Sequence, residues 1–438
     1  MKSARWVCAA LAAAGAIALV APAAGQGHVA PGWLAWTEGG VATTYYEFPT
    51  IASGSHASLN FKLANRGLSG SGNYAVDLTG SPAFSISYTG CTGKSLGERK
   101  WCRVAVVYAP GKAGGHDIAV LSARPERGTV ATLRISACGA GASGHVYWAD
   151  SSGGTIKEGL FARGCVTRIK TLVRGQAYPT SVAADGTHVY WTSDGSSPNS
   201  GAVEEVPLSG GTVTTLATGQ SHPLSVAVDD ANVYWVDADY GGGNGTVNSV
   251  PLGGGTVTTL ASGRDYPSDL AVDGTNVYWV DSSNNGSVNE VPRGGGTVTT
   301  LVSDQPYGPL SLAVYGNTVY WAPQYGSVDA VPVGGGKVTT LASGSFSVDA
   351  LAVDATHVYW VDSYDGTVNE LPLGGGSVAS GGFLAAGQDS PAFVAVTGAH
   401  VYWGSWNAGI LSEAPVTGGR VDIVARGQGN STPVAVGP

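Results

Sequence analysis

GTVNSVPLGGGTVTTLASGRDYPSDLAVDGTNVYWVD, residues Gly245 to Asp281, is the best copy of a unit that recurs along the last two-thirds of the chain. Its anchor is Val-Tyr-Trp, whose tryptophans are Trp148, Trp191, Trp235, Trp279, Trp321, Trp360 and Trp403, spaced by 43, 44, 44, 42, 39 and 43 residues. A period of this size with several short strands per unit is the mark of a propeller blade. Four β-like segments per unit are expected, at Asp269–Asp273, Asn276–Asp281, Ser287–Pro292 and Thr297–Leu301, with Gly and Asn/Asp clusters between them.

Successive strand residues point to opposite faces, so Val277 and Trp279 share one face and Tyr278 takes the other. All three are large and apolar, as both faces of an inner strand covered by neighbouring blades require. Thr-Val-Thr-Thr-Leu alternates polar and apolar, which predicts an outer, half-wetted strand. The first Val-Tyr-Trp lacks the Pro-x-x-Val-Ala-Val segment that precedes the others, and Pro433-Val-Ala-Val436 stands without a Val-Tyr-Trp after it. The C-terminal strand is therefore expected to complete the first blade. The predicted fold is all-β: residues 143–438 form a seven-bladed β-propeller closed by a C-terminal velcro strand, preceded by a β-sandwich at 27–139.

The pattern Pro-x-x-Leu-Ala-Val-Asp-x-x-x-Val-Tyr-Trp-x-Asp resembles YWTD and NHL-type propellers, among them those of lipoprotein receptors, bacterial kinase sensor domains and the virginiamycin B lyase group. It departs from a strict Tyr-Trp-Thr-Asp at Val280. In the sandwich region, Leu63-Ala-Asn65-Arg-Gly67, Leu78-Thr-Gly80, Phe84, Cys91, Cys102 and Tyr108-Ala-Pro110 resemble the Ig-like choice-of-anchor or ASPM–SPD-2–Hydin class. That resemblance implies a spacer or adhesive stalk.

Lys2 and Arg5 precede an apolar run from Trp6 to Val20 and then Ala21-Pro-Ala23-Ala24, a secretory signal over residues 1–24. No membrane span is expected after its cleavage. Of the four cysteines beyond it, Cys91 and Cys102 are expected to pair within the sandwich. Cys138 and Cys165 are expected to bridge the domain junction, on parity and a secreted context.

Residues 1–140 carry 12 Lys/Arg against 6 Asp/Glu, while residues 141–438 carry 10 against 25. An acidic propeller argues against a nucleic-acid partner, which needs a basic face. His145, His188, His357 and His400 precede Val-Tyr-Trp where other repeats have Asn or Thr, so they read as turn residues. The repeated aspartates on either side read as turn caps.

The informative positions are those where the repeats differ. Connections between blades carry Tyr178, His222, Arg264, Asp265, Tyr266, Tyr307, Phe346 and Asp389, and loops after the second strand carry Tyr240, Tyr325, Tyr364 and Trp406. These are expected to share one rim, which suits sugar rings or peptide side chains. The expected function is a secreted or cell-envelope bacterial binding or scaffold protein for a glycan, peptide or protein, without a cofactor. The virginiamycin B lyase and lactonase resemblance implies an alternative, metal-dependent chemistry at the propeller centre, for which His222, Asp265, Asp304 and Asp389 are the non-repeated loop residues. A purely structural surface repeat is the third reading.

Overall fold

The computed structural model describes residues 34–38, 41–42, 45–47, 55–65, 72–109, 116–126, 130–138, 143–162, 166–239, 243–283, 285–375, 383–397, 399–419, 421–428 and 434–436. The signal segment, Tyr240 and Cys165 lie outside them, as does the side chain of Cys138, so the expected Cys138–Cys165 bridge lies outside the described residues. Every regular element among the described residues is a β-strand. The chain divides into two compact units, Met1–Ala142 and Ser143–Pro438.

The first unit is built of two sheets. One includes Leu34–Glu38, Ala57–Asn65, Trp101–Tyr108 and Phe84–Thr89; the other includes Tyr45–Glu47, Ala131–Cys138, His116–Pro125 and Tyr74–Gly80. Alternation along the strands sends Phe61, Leu63, Val104, Val106 and Tyr108 inward from one sheet to meet Leu121, Ala123, Leu133 and Ile135 from the other. Trp36 Nε1 donates to the Ala131 carbonyl at 3.2 Å, so the buried indole has its partner. Cys91 and Cys102 are bonded, with Cα atoms 5.3 Å apart. A bridge closing so short a loop stabilises by roughly 3 kcal/mol.

The second unit is a β-propeller. Among its described residues are seven four-stranded antiparallel sheets. The innermost strands are Pro179–Ala184, Pro223–Val228, Pro267–Val272, Pro309–Tyr315, Ala350–Val353, Pro391–Val396 and Val434–Val436. The last pairs with Ser143–Asp150, matching Val146 with Val436 and Trp148 with Val434. The sheet that opens the propeller is thus completed from the other end of the chain.

Packing between sheets repeats one contact. Val277 and Trp279 meet Tyr234 and Val236 of the preceding sheet, while Tyr278 and Val280 meet Val319 and Trp321 of the next. The same layer recurs at every junction, and the last sets Tyr402 against Val146 and Trp148, returning to the first sheet. All seven tryptophans are fully buried. Each removes on the order of 200 Å² from water, a gross gain of about 5 kcal/mol.

Two polar devices recur among the repeats. In the first, Asp273 Oδ1 accepts the N–H groups of Thr275 and Asn276 at 2.7 and 2.8 Å, and its Oδ2 accepts the Tyr278 hydroxyl at 2.8 Å. Asp185, Asp229 and Asp354 do the same for Tyr190, Tyr234 and Tyr359. Burial alone would raise these carboxyls, but the donors outweigh it and hold them below the usual range. In the second, the Trp indole N–H donates to a Gln fifteen or so residues upstream: Trp191 to Gln176 at 3.0 Å, Trp235 to Gln220 at 2.8 Å, Trp321 to Gln305 at 3.2 Å and Trp403 to Gln388 at 3.1 Å.

The outer strands depart from the expected alternation. The one expected at Thr297–Leu301 runs from Thr299 to Pro306, because Thr297 and Val298 belong to the irregular stretch after the Arg293–Gly294 turn. In the neighbouring copy, Leu260 and Ala261 are both buried. A register shift between Val247 and Asn248 on the partner strand, repeated at Val288/Asn289 and Val328/Asp329, turns two consecutive residues inward.

Candidate ligand-binding face

The antiparallel order places two sets of loops at one end of the propeller: the connections into each innermost strand, and the loops after each Val-Tyr-Trp strand. Pro267 pairs with Asp281, and Pro391 with Ser405, so the start of one strand lies beside the end of the next. Backbone bonds fasten the two loops together. The carbonyls of Tyr178, His222, Tyr266 and Ser390 accept the N–H groups of Asp194, Ala238, Ser282 and Trp406 at 2.9 to 3.0 Å.

Three of the four clamped residues have an unusual backbone, and so does Tyr307. Tyr178, Tyr266 and Ser390, each immediately before a proline, have φ of 56°, 56° and 47°, and Tyr307 has 63°. A left-handed tyrosine is uncommon and is kept only where its surroundings dictate it. Each of these three tyrosines presents an exposed ring.

The expected rim residues fall into two groups. Tyr178, Tyr266, Tyr307, Tyr325, Tyr364 and Trp406 are all exposed, from half to, for Tyr364, 91 %. Tyr307 and Tyr325 meet edge to face at 6.2 Å, and Trp406 stacks on Phe393 at 6.3 Å. Phe393 belongs to an innermost strand at a place where other repeats carry Ser181, Ser225, Asp269 and Ser311, and sequence reasoning did not single it out. Asp265, Asp304 and Asp389 are exposed as well.

The other group is turned inward. Arg264 occupies the position of the upstream Gln: its guanidinium pairs with Asp281 and lies 5.3 Å from the Trp279 ring centre, while the indole donates to Asp281 at 3.2 Å. Phe346 packs against Trp360 at 5.5 Å. His222 is partly buried, with Nδ1 2.6 Å from Asp194 Oδ1 of the preceding sheet.

Below the rim, innermost strands are laced by one carboxylate. Asp269 accepts the hydroxyls of Ser225 and Ser311 at 2.9 and 3.0 Å and the N–H groups of Leu270 and Leu312 at 2.9 and 3.0 Å. Burial pushes this carboxyl up, against those four bonds. The group joins three sheets. The pattern that reveals it is a polar residue in an apolar innermost strand.

At the opposite end, His188, His357 and His400 open their Val-Tyr-Trp strands, and His145 stands within the strand Ser143–Asp150. His145 Nδ1 lies 2.7 Å from Glu158 Oε1. A shallow hollow of about 680 Å³ opens there, floored by Ala184, Val228 and Val436, and Asp185 and Asp229 on its wall are engaged in the turns. Among the described residues, no three His, Cys, Asp or Glu side chains gather as a metal-ligand set.

No protein-family model and no curated protein matches the chain. Among solved structures it is similar to one in a nidogen/laminin complex, at 18% identity over 53% of this chain and 90% of that one, TM-score 0.43. The WD40 β-propeller domain of Doa1 is 16% identical over 57% and 82%, TM-score 0.47. A calcium-binding regucalcin from Agrobacterium tumefaciens is 16% identical over 52% and 81%, TM-score 0.38.

Proposed function

We propose that the chain is a secreted or envelope-associated binding protein of YWTD/NHL-like type, in which an Ig-like sandwich carries a seven-bladed propeller that holds a glycan on its aromatic face. One observation carries the reading: the exposed rings of Tyr178, Tyr266, Tyr307, Tyr364 and Trp406 stand on loops at one end of the propeller, with that of Tyr325 at the start of a strand beside them, and several of those loops are locked by backbone bonds. Large apolar rings left in water on a fixed backbone give up hydrophobic stabilisation, and a ligand that covers them recovers it. Flat sugar rings suit stacking on Tyr and Trp, and the exposed Asp265, Asp304 and Asp389 offer acceptors for their hydroxyls.

The test is a glycan array with the purified protein, set beside elemental analysis. A defined glycan hit that disappears in Tyr364→Ala with Trp406→Ala supports the reading. A silent glycan array with a peptide hit replaces the ligand class. A silent array with a stoichiometric divalent metal replaces the binding protein with metal-assisted lyase or lactonase chemistry.

A further inference from the structure

Four sheets that follow one another around the propeller each bring an exposed ring to the candidate face. They are those of the innermost strands Pro267–Val272, Pro309–Tyr315, Ala350–Val353 and Pro391–Val396, and the rings are Tyr266, Tyr307, Tyr364 and Trp406. Neighbours among these sheets share a core: Tyr278 with Trp321, Tyr320 with Trp360, and Tyr359 with Trp403. The rings therefore stand along one unbroken arc. Tyr364 is almost wholly in water, and Trp406, though backed by Phe393, is still half exposed.

Each ring has a carboxylate close to it in the chain. Asp265 immediately precedes Tyr266, and Asp304 stands three residues before Tyr307. Asp365 immediately follows Tyr364, and Asp389 precedes Ser390, whose carbonyl accepts the Trp406 N–H at 2.9 Å. All four carboxylates are exposed, and none is in an ion pair among the described residues. Asp349, which accepts the Ser363 N–H at 2.8 Å, adds a fifth exposed carboxylate to the arc. Cations do not balance them. The one Lys or Arg in these loops is Arg264, and its guanidinium is committed to Asp281 and Trp279. Among the described residues, the exposed cations at this end are Arg174 and Arg426, at the connections that lead out of and into the first sheet.

We propose, resting on the glycan reading of this same face, that its ligand is a polysaccharide whose sugars carry free amino groups. The chain lies along the arc, with sugar rings on the Tyr and Trp side chains and ammonium groups beside the aspartates. Like charges held along one arc repel, and a cation beside each relieves that repulsion. The same ammonium is attracted by the face of a neighbouring Tyr or Trp. A neutral sugar would use the carboxylates as acceptors without answering their charge, and an acidic sugar would be repelled. One ring and one carboxylate per sheet suits a chain that offers a ring and a cation in every unit. A lysine-rich peptide fits less well, because ordering its long stems costs rotamer entropy and it has no flat face to stack. A divalent ion fits less well too, because no three ligating side chains gather among the described residues.

The experiment sets the full chain against glucosamine oligomers and the same oligomers N-acetylated, by calorimetry at about pH 5.5, where aspartates are ionised and the free amines protonated. The free-amine oligomer should bind roughly tenfold more tightly than the acetylated one, and salt should weaken it. Asp365→Asn with Asp389→Asn should lower that affinity about tenfold and abolish the preference. Both side chains are exposed, so the variant should melt with the parent, and lost binding is not lost folding. Equal affinity for the two oligomers overturns the amine assignment and leaves the glycan reading standing, as does a neutral or acidic glycan captured on the array when neither oligomer binds. A preference that survives the double variant overturns the role of the aspartates. Displacement of the oligomer by oligolysine at lower concentration makes the ligand a basic peptide and overturns the proposal. Capture of no glycan of any kind overturns the proposal and the glycan reading together.

Discussion

Trp148 Nε1 donates to Gln428 Oε1 across 2.9 Å, joining residues 280 positions apart. It is the same bond that Trp235 makes to Gln220 within one repeat, divided here between the two ends of the propeller. Lys157 Nζ also reaches Gln428 Oε1, at 2.7 Å, and Asp150 Oδ2 at 3.1 Å. Closure therefore rests on a buried polar knot as well as on the pairing of Val434–Val436.

Gln428→Leu should cost about 1–3 kcal/mol, because the indole N–H loses its acceptor in a buried place. Gln428→Glu keeps an acceptor for both donors and should recover most of the loss. Urea unfolding of the two variants measures this; equal stability of Gln428→Leu and the parent would show that the knot does not bear on closure.

Of the two repeats without this Gln, one leaves its indole with no acceptor at all. Trp360 Nε1 is buried with no hydrogen-bond partner, and the position fifteen residues upstream is Ser345 where other repeats have Gln. Ser345→Gln should raise stability by about 0.5–1.5 kcal/mol by supplying the missing acceptor. A thermal melt of this variant that is lower than the parent's would mean that the neighbouring Phe346 leaves no room for it.

The turn aspartate and the strand tyrosine should act as a unit. Asp273→Ala strands two N–H groups and the Tyr278 hydroxyl, while Tyr278→Phe removes the last bond together with the 3.4 Å bond its hydroxyl accepts from Asn276 Nδ2. A double-mutant cycle should give a coupling of about 0.5–3 kcal/mol. Additive effects would reduce the pair to separate contacts.

Glu413 gives the propeller a dependence on pH. It is 2% exposed, its Oε2 has no partner, and burial pushes its carboxyl from 4.5 up to about 7. The folded state thus holds this proton more tightly than the unfolded one. Its contribution is complete below the unfolded value and is lost as pH rises towards about 7. Glu413→Gln should flatten stability between those limits and raise the melting temperature above neutrality. A parent whose melting temperature is the same at both ends of that window would contradict it.

The apolar framework was legible because it is written locally. Val277, Tyr278 and Trp279 are consecutive, and a period of two assigns each to its side without knowledge of the neighbour. The clasp was legible from Val434–Val436 standing without its following strand. Side chains acting at a distance were not. Arg264 reads as a rim cation because a loop sequence does not say which way its arginine points, and its acceptor, Asp281, lies seventeen residues on. Gln176 and Gln220 look like ordinary loop glutamines, though the Gly-Gln that recurs at Gly175-Gln176, Gly219-Gln220, Gly387-Gln388 and Gly427-Gln428 was a usable signal. Phe393 was hidden because an aromatic in an innermost strand passes for core until Trp406 is seen beside it.

The three-residue pairing that completes the first sheet also sets where the molecule gives way under tension. A pull on the chain beyond Val436 loads Val146, Tyr147 and Trp148 through three residue pairs, whereas the innermost strand Pro267–Val272 is joined through its sheet on one side and carried by the chain at both ends. The belt parts at its buckle before any link stretches, and the two halves of the first sheet come away with the other six still stacked.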